Sequence, residues 1–192
     1  MSDSQQKWDA IYSQRGNTIP APASMLSTYA RLLPTQGLAL DLACGLGGNS
    51  FFLATHGLQV DAWDISAVAI NQIKNNCTDL NHISPAVVDL NMATFPTHKY
   101  DVITVSRFLN RDIAPQLISA LKPSGLLFYQ TFTRQKTTAD GPNNPDFLLE
   151  KSELLSLFST LTPVIYHEEA CIGDIKQGIR NEAILIAQKA PN

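Results

Sequence analysis

The stretch Leu38-Ala39-Leu40-Asp41-Leu42-Ala43-Cys44-Gly45-Leu46-Gly47-Gly48-Asn49 decides how this chain folds. Its mostly apolar first half predicts a short buried strand over 38–42, and its glycines predict a tight turn into a helix that starts near Phe51. Glycines in such a turn let the backbone approach a ligand because no β-carbon intervenes. The pattern indicates an α/β sheet with a binding site at the end of its first strand.

Strand-like and helix-like segments alternate along the rest of the chain. Apolar runs predict further strands over 60–64, 86–89, 102–105 and 126–132, with helical spacing between them. Two more runs, 164–167 and 183–187, follow a last helix and are joined by a long connection over 171–178. Helices between strands imply right-handed crossovers. We therefore expect a Rossmann-like doubly wound sheet, mostly parallel, with an antiparallel strand near the C-terminus.

Length and composition bound the number of domains. A chain of 192 residues with 44% apolar and 16% charged side chains supports one hydrophobic core. We expect a single domain over 1–192, in which residues 1–37 form an N-terminal helical segment that can act as a lid. Residues 133–149 lack a periodic pattern and predict a lid loop.

Charge and cysteine content exclude several classes of function. The formal charge of −3 offers no basic surface for nucleic acid, and three widely spaced cysteines predict neither a disulfide framework nor a metal site. No segment approaches the about 18 apolar residues of a membrane span, and residues 1–10 lack the apolar run of a signal peptide. We expect a cytoplasmic protein with a small-molecule substrate, and the sequence is silent on its oligomeric state.

An acidic residue stands near the predicted end of each of the first three strands, where open parallel sheets bind ligands. A carboxylate at Asp41 would repel a pyrophosphate about 4 Å away by about 4 kcal/mol, but it suits an ammonium group. Asp64 follows Gly47 by 17 residues (64 minus 47), a spacing that suits ribose hydroxyls. Asp89 beside Leu90 can accept an adenine amino proton. The three acids thus predict a ligand with an amine, a ribose and a base, and no phosphate. S-adenosylmethionine (SAM) fits this description.

Five motifs then carry a resemblance to a known family. They are Leu40 to Gly47, Asp61 to Ser66, Asp89-Leu90, Tyr100 to Ile103 and Leu121 to Gly125. In this order, over roughly 39–132, they resemble the successive motifs of class I SAM-dependent methyltransferases. The sequence is also similar to the tellurite-resistance (TehB-like) branch in Lys7-Trp8-Asp9 with Tyr12, in Ser106 to Arg111, and in Gln130 to Phe132 followed by Gly141 to Pro145. It departs from that branch at Ile11 and Asn110, where a basic residue and a histidine are usual.

The resemblance implies a SAM site. Its cofactor-binding residues correspond here to Trp8, Asp41, Ala43, Cys44, Gly45, Gly47, Asn49, Asp64, Ile65, Asp89, Leu90 and Ser106. Asp41 would serve the methionine amine, Asp64 the ribose, and Asp89 with Leu90 the adenine. The structural alternative is that the strand-end carboxylates cap the helices that follow them.

Candidates for positioning the methyl acceptor are Arg107, Arg111 and Tyr12. The two arginines are four residues apart at the start of a predicted helix, so we expect them on one face near the transferable methyl group. Ion pairs with Asp112 or Asp101 are the alternative. Tyr12 and Trp8, four apart on an N-terminal helix, would close over the cofactor as the resemblance implies, or pack against the body of the protein.

The sequence therefore predicts a SAM-dependent methyltransferase acting on a small anionic or soft acceptor, such as a tellurite or selenite oxyanion, a thiol or a carboxylate. One alternative is a SAM-binding protein without catalysis. Another is a nicotinamide-dependent oxidoreductase of the same topology, which Asp41 disfavours, as does Ser50 in place of the third glycine of a dinucleotide fingerprint.

Overall fold

A computed structural model of the protein describes residues 2–77 and 82–191. Its strands are β1 (Gly37–Leu42), β2 (Leu58–Asp64), β3 (Ile83–Val87), β4 (Tyr100–Ser106), β5 (Leu121–Phe132), β6 (Thr162–His167) and β7 (Glu182–Gln188). Its α-helices are α1 (Asp3–Ser13), α2 (Ser24–Thr28), α3 (Gly48–Thr55), α4 (Ala67–Asn76), α5 (Ala114–Ala120) and α6 (Glu153–Leu157). Short 3-10 turns cover Ala30–Leu32, Arg111–Ile113 and Pro145–Phe147.

Within the described ranges the strands form one seven-stranded sheet in the order β3-β2-β1-β4-β5-β7-β6. The first five strands in this order, β3, β2, β1, β4 and β5, are parallel to one another. Strand β7 runs antiparallel to both of its neighbours, β5 and β6. This arrangement confirms the predicted fold class. Because β1 is flanked by β2 and β4, the strand order reverses beside β1, which is where such sheets bind ligands.

Alternate side chains of the strands fill two cores, one on each face of the sheet. Leu40 and Leu42 belong to the core beneath α5 and α6, whereas Ala39 belongs to the core beneath α2, α3 and α4. By the same alternation Asp41 points to the α3 face. An acidic side chain thus enters an otherwise apolar layer directly before the glycine-rich turn.

Several elements differ from their predicted bounds, and most strands are longer than predicted. The third strand begins earlier, at Ile83, which is buried and pairs with Val60, and it ends at Val87. The strand predicted over 126–132 begins earlier, directly after α5, because Leu121 already pairs with Tyr100. The N-terminal segment predicted to be helical contains α1, and later α2 followed by a 3-10 turn.

The segment over residues 133–149 is a loop fastened at its base and near its middle. Thr133 forms an isolated bridge with Leu149. The Asn181 side-chain oxygen accepts hydrogen bonds from the backbone of Thr137 at 2.6 Å and of Thr138 at 3.3 Å. A lid function for this loop stays a prediction. None of the helices in the described part of the chain is long and apolar enough to cross a membrane.

Candidate active site

The glycine-rich turn between β1 and α3 has a left-handed backbone. φ is +55° at Ala43, +53° at Gly45 and +84° at Gly47. Cys44 fixes the turn, because its N–H donates to the Trp63 carbonyl at 3.0 Å and its carbonyl accepts from the Gly47 N–H at 3.0 Å. Burial raises the pKa of the Cys44 thiol, which is therefore neutral. At Gly45 and Gly47 the turn presents backbone without a side chain at the end of β1.

The Asp41 carboxylate lies beneath this turn with no exposed surface. It accepts a hydrogen bond from the Ser50 hydroxyl at 2.6 Å and a longer one from the Asn49 amide at 3.5 Å. Burial raises the pKa of Asp41 to about 7, although both hydrogen bonds lower it. The structure places this carboxylate behind Asn49 and Ser50, and a direct contact with a bound ammonium group stays a prediction.

Asp64 ends β2, as predicted, and joins the turn to the next helix. One of its carboxylate oxygens accepts from the Gly45 N–H at 2.8 Å and the other from the Ser66 N–H at 2.8 Å. The residue is 6% exposed, and burial raises its pKa. Asp64 does not itself cap α4, because Ser66 is the N-cap of that helix, and the Asp64 carboxylate has further lone pairs with which to accept hydroxyl donors. Ile65 follows at the same strand end and is half-buried.

Asp89 does not end the third strand, contrary to the prediction, but lies two residues beyond Val87. Its carboxylate accepts from both the backbone N–H and the side-chain amide of Asn91, at 3.0 and 3.1 Å. The last bond between β3 and β2 is donated by the Val88 N–H to the Asp64 carbonyl at 2.8 Å, so pairing ends one residue before Asp89. Leu90 is half-buried against the core beneath α5 and α6. Both side chains remain partly accessible on the same edge of the sheet.

Asn49 connects the turn to the end of β4. Its amide nitrogen donates to the Ser106 hydroxyl at 2.9 Å, and its oxygen accepts from the Ala23 N–H, just before α2, at 2.8 Å. The structure thus brings Asp41, Asn49 and Ser106 together, as expected for one site. The three are linked through the single side chain of Asn49.

Helix α1 lies across this site. The Tyr12 hydroxyl oxygen is 2.8 Å from the position that a β-carbon would occupy at Gly45. Burial is the main cause that raises the pKa of Tyr12, and Asp64, Cys44 and Asp41 raise it further. Trp8 stacks on Tyr12 with ring centroids 5.6 Å apart and is 36% exposed. The aromatic pair therefore covers the glycine-rich turn, with Tyr12 inside and Trp8 outside.

Arg107 follows β4 with a left-handed backbone, φ +52°. Its Nε donates to a Glu182 carboxylate oxygen at 2.8 Å, and its guanidinium lies 5.7 Å from the centre of the Phe132 ring. The Arg107 side chain is 69% exposed, whereas that of Glu182 is 7% exposed. The guanidinium is thus held at one edge and open to solvent.

The prediction that Arg107 and Arg111 share one helix face is wrong, because the helical turn begins only at Arg111. Arg111 pairs with Glu153, Nε to Oε1 at 2.6 Å, and also donates to the carbonyls of Asp146 and Leu148 at 2.7 and 3.1 Å. These contacts fasten residues 146–148 to α6. Arg111 therefore has a structural partner on every guanidinium nitrogen.

The predicted partners of the two arginines, Asp112 and Asp101, are also wrong. Asp101 instead forms an ion pair with Lys122, whose Nζ lies 2.7 Å from the Asp101 carboxylate. Glu182 and Glu153, the actual partners of Arg107 and Arg111, are distant in sequence, so local spacing could not identify them.

Sequence reasoning missed Glu182 and the role of Gln130. Gln130 donates from its amide to the second Glu182 oxygen and accepts from the Met25 N–H at 2.9 Å. The available signal was a single acidic residue directly before the apolar run 183–187, in a strand that is otherwise buried. Such a charge requires a partner.

The reversal of strand order beside β1, the antiparallel β7 and the glycine-rich turn at the end of β1 define the class I methyltransferase fold. The chain belongs to the family described as "Tellurite resistance protein TehB", whose profile matches residues 5–182. The crystal structure of TehB from Haemophilus influenzae has this fold, with a TM-score of 0.71 at 22% identity over 95% of this chain and 67% of that chain.

Two curated relatives match the chain over shorter stretches. A protein of Haemophilus influenzae named probable S-adenosyl-L-methionine-dependent methyltransferase TehB is 33% identical over 122 residues, 60% of this chain and 41% of the relative. A ubiquinone biosynthesis O-methyltransferase of Coxiella burnetii is 32% identical over 101 residues, 50% of this chain and 43% of the relative. The chain thus spans less than half the length of these relatives.

Proposed function

We propose that this chain binds SAM where β1, β2 and β4 end and transfers its methyl group to a small anionic or soft nucleophile beside Arg107. The observation that carries the proposal is the linkage of Asp41, Asn49 and Ser106 under a glycine-rich turn, next to an open guanidinium. The family and its relatives named as methyltransferases support the reaction type.

The residues of the site fit a cationic nucleoside. The charged form of Asp41 is destabilised by burial, and an ammonium group nearby would offset that cost. The missing β-carbon of Gly45 leaves room for the Tyr12 hydroxyl against the turn. A dinucleotide fits less well, because its pyrophosphate would meet the Asp41 and Asp64 carboxylates under the turn.

Each part of the chain has a separate task in this proposal. SAM supplies an electrophilic methyl group on a sulfonium centre. Asp64 accepts from ribose hydroxyls while it keeps the turn in place, and Asp89 with Leu90 contacts the adenine. Asn49 and Ser106 orient the methionine portion. No general base among these residues is required, because holding the nucleophile in line supplies up to about 7 to 11 kcal/mol of the barrier.

Two segments exclude water from the reaction in this proposal. Tyr12 and Trp8 of α1 cover the turn, and the loop over residues 133–149 closes the acceptor side as a lid. A methyl transfer from a sulfonium to an anion neutralises charge, so a site shielded from water favours it. Arg107 orients the acceptor through the free edge of its guanidinium.

The nature of the acceptor is the finer part of the proposal. The open guanidinium of Arg107 favours an oxyanion or a carboxylate, and the family description makes tellurite and selenite the first acceptors to test. The Coxiella relative is named an O-methyltransferase of ubiquinone biosynthesis, which supports a small-molecule acceptor.

The test is transfer of a labelled methyl group from SAM to tellurite, selenite, small thiols and small carboxylates by the purified chain. We expect labelled product with at least one acceptor, and its loss in Asp64→Ala. Binding of S-adenosylhomocysteine (SAH) without product from any acceptor would favour a non-catalytic SAM-binding protein. No binding of SAH at all would remove the proposal.

A further inference from the structure

The side of the proposed site that contains Arg107 also contains a buried acid, Glu182. Its two carboxylate oxygens accept hydrogen bonds from different partners. Glu182 stands at the start of β7, opposite Phe132 at the end of β5. One oxygen accepts from Arg107 Nε at 2.8 Å and the other from the Gln130 side-chain amide. A buried carboxylate with two charge-assisted or amide donors has a fixed orientation, because moving it would leave a donor unpaired.

Glu182 thereby determines how the Gln130 amide is oriented. Since the nitrogen of that amide faces Glu182, its oxygen faces the start of α2, where it accepts from the Met25 N–H at 2.9 Å and the Ser24 hydroxyl at 3.1 Å. The backbone carbonyl of Gln130 also accepts from the Arg107 N–H at 2.8 Å. One side chain thus fixes both the arginine and the first turn of α2.

The same contacts leave a specific part of Arg107 free. Within the described ranges, Nε of the Arg107 guanidinium has a hydrogen-bond partner and the two terminal nitrogens have none. The Arg107 side chain is 69% exposed. The two terminal nitrogens therefore form an open edge, a shape that binds carboxylates and oxyanions through two parallel hydrogen bonds. Phe132 supports the guanidinium plane from 5.7 Å.

We propose that Glu182 is a positioning residue for the methyl acceptor: it holds Nε of Arg107 so that the terminal edge of the guanidinium faces the acceptor, and through Gln130 it ties that edge to α2. This inference rests on the proposed function. The acceptor's anionic group docks on Arg107, and Glu182 acts through Arg107 without touching the acceptor.

The arrangement predicts what Glu182→Gln does. A glutamine has a single oxygen, so one of its two donors, Arg107 Nε or the Gln130 amide, meets an NH2 group instead of an acceptor. Whichever donor keeps the oxygen, Arg107 loses its charged partner and is held more weakly, while the volume at position 182 is nearly unchanged. The matched control is Asp101→Asn, which weakens the ion pair of Asp101 with Lys122 near the start of β4, at the opposite edge of the sheet.

The experiment compares both variants with the wild-type chain, using SAM and selenite. We expect Glu182→Gln to raise KM for selenite by about tenfold or more, the effect of one charge-assisted hydrogen bond. The dissociation constant of SAH, measured by calorimetry, should change by less than about twofold. Asp101→Asn should leave KM unchanged. In an Arg107→Ala background Glu182→Gln should have no further effect on KM.

A second measurement is independent of turnover. Hydrogen exchange of the Met25 amide should accelerate in Glu182→Gln and remain at the wild-type rate in Asp101→Asn, because the Met25 hydrogen bond depends on the orientation of the Gln130 amide. Unchanged exchange at Met25 overturns the link to α2, and an unchanged KM overturns the positioning role. If the wild-type chain binds no SAH, the proposed function fails. Exchange of the Met25 amide needs no ligand, so it distinguishes that failure from a failure of the link between Glu182 and α2.

Discussion

The Asp9 carboxylate of α1 accepts a hydrogen bond of 2.5 Å from the hydroxyl of Ser66, the residue that caps α4. The same oxygen of Asp9 accepts from the Val68 N–H at 3.1 Å. A carboxylate at a helix N-terminus is favoured by the helix dipole. Helix α1, which has no fully buried residue, is thus fastened over the site by a polar contact.

Asp9→Ala should therefore loosen α1 without unfolding the protein. The variant loses hydrogen bonds to a carboxylate worth about 1.5 to 3 kcal/mol, and the loss falls on a helix that can open locally. We expect SAH affinity to fall by about tenfold, with a melting midpoint within about 3 °C of wild type. Calorimetry and thermal melting check both. Asp3→Ala, the same charge change at an exposed position of α1, is the control; equal losses in both variants would contradict the fastening role.

Gly45→Ala should weaken SAH binding, an effect beyond the loss of stability that a side chain at positive φ causes. The residue has φ +53°, and its new β-carbon would stand 2.8 Å from the Tyr12 hydroxyl, so Tyr12 must move. Gly16→Ala is a close control, because Gly16 has φ +69° with nothing within 4 Å of an added β-carbon. Both variants should lose about 1 to 2 kcal/mol of stability in chemical denaturation. SAH affinity should fall in Gly45→Ala alone; a similar fall in Gly16→Ala would refute this explanation.

Asp41 should make the stability of the protein depend on pH. Its pKa is about 7 in the folded protein and near 3.8 in an ordinary environment, so the folded state binds the proton more tightly between these values. The free energy of unfolding contributed by this group therefore falls as pH rises from about 4 to about 7, by about 4 kcal/mol in total. Urea titrations of wild type and Asp41→Asn across that range isolate the contribution. Parallel curves for the two proteins would show that Asp41 titrates normally.

Substitutions at the two arginines should have different effects: those at Arg107 should change acceptor binding, and those at Arg111 should change the free energy of unfolding. Arg107→Ala combined with Glu182→Gln removes an exposed guanidinium without leaving a buried charge at position 182, so we expect a raised KM for an anionic acceptor with little change in unfolding. Arg111→Ala removes contacts to Glu153 and to two carbonyls, and should lower the free energy of unfolding by about 2 kcal/mol. Enzyme assays and urea unfolding of both variants check this. The reverse pattern would mean that Arg111, not Arg107, faces the acceptor.

Local pattern was sufficient to predict most of the sheet. The strand that ends at Leu42, the turn at Gly45 and Gly47, and the cap at Ser66 all depend on neighbouring residues, so spacing and residue type reveal them. The antiparallel β7 was also predicted correctly. The bounds of β3 were not, because its pairing with β2 extends from Ile83 through a proline that only an edge strand tolerates.

The site was predictable in its residues but not in its contacts. Asp41 and Asp64 stand where expected, yet their hydrogen bonds to Ser50 and to the Gly45 N–H depend on side-chain orientation. Glu182 reaches Arg107 across 75 positions of sequence through the pairing of β5 with β7. Such long-range partners follow from the assembled sheet and not from local spacing.

Calorimetric titration of the purified chain with SAH, run in parallel with NAD, tests the central claim most directly. The account predicts saturable binding of one SAH per chain in the range of about 1 to 100 µM, lost in Asp64→Ala, and no binding of NAD. Binding of NAD in place of SAH, or SAH binding of equal strength in Asp64→Ala, would contradict it.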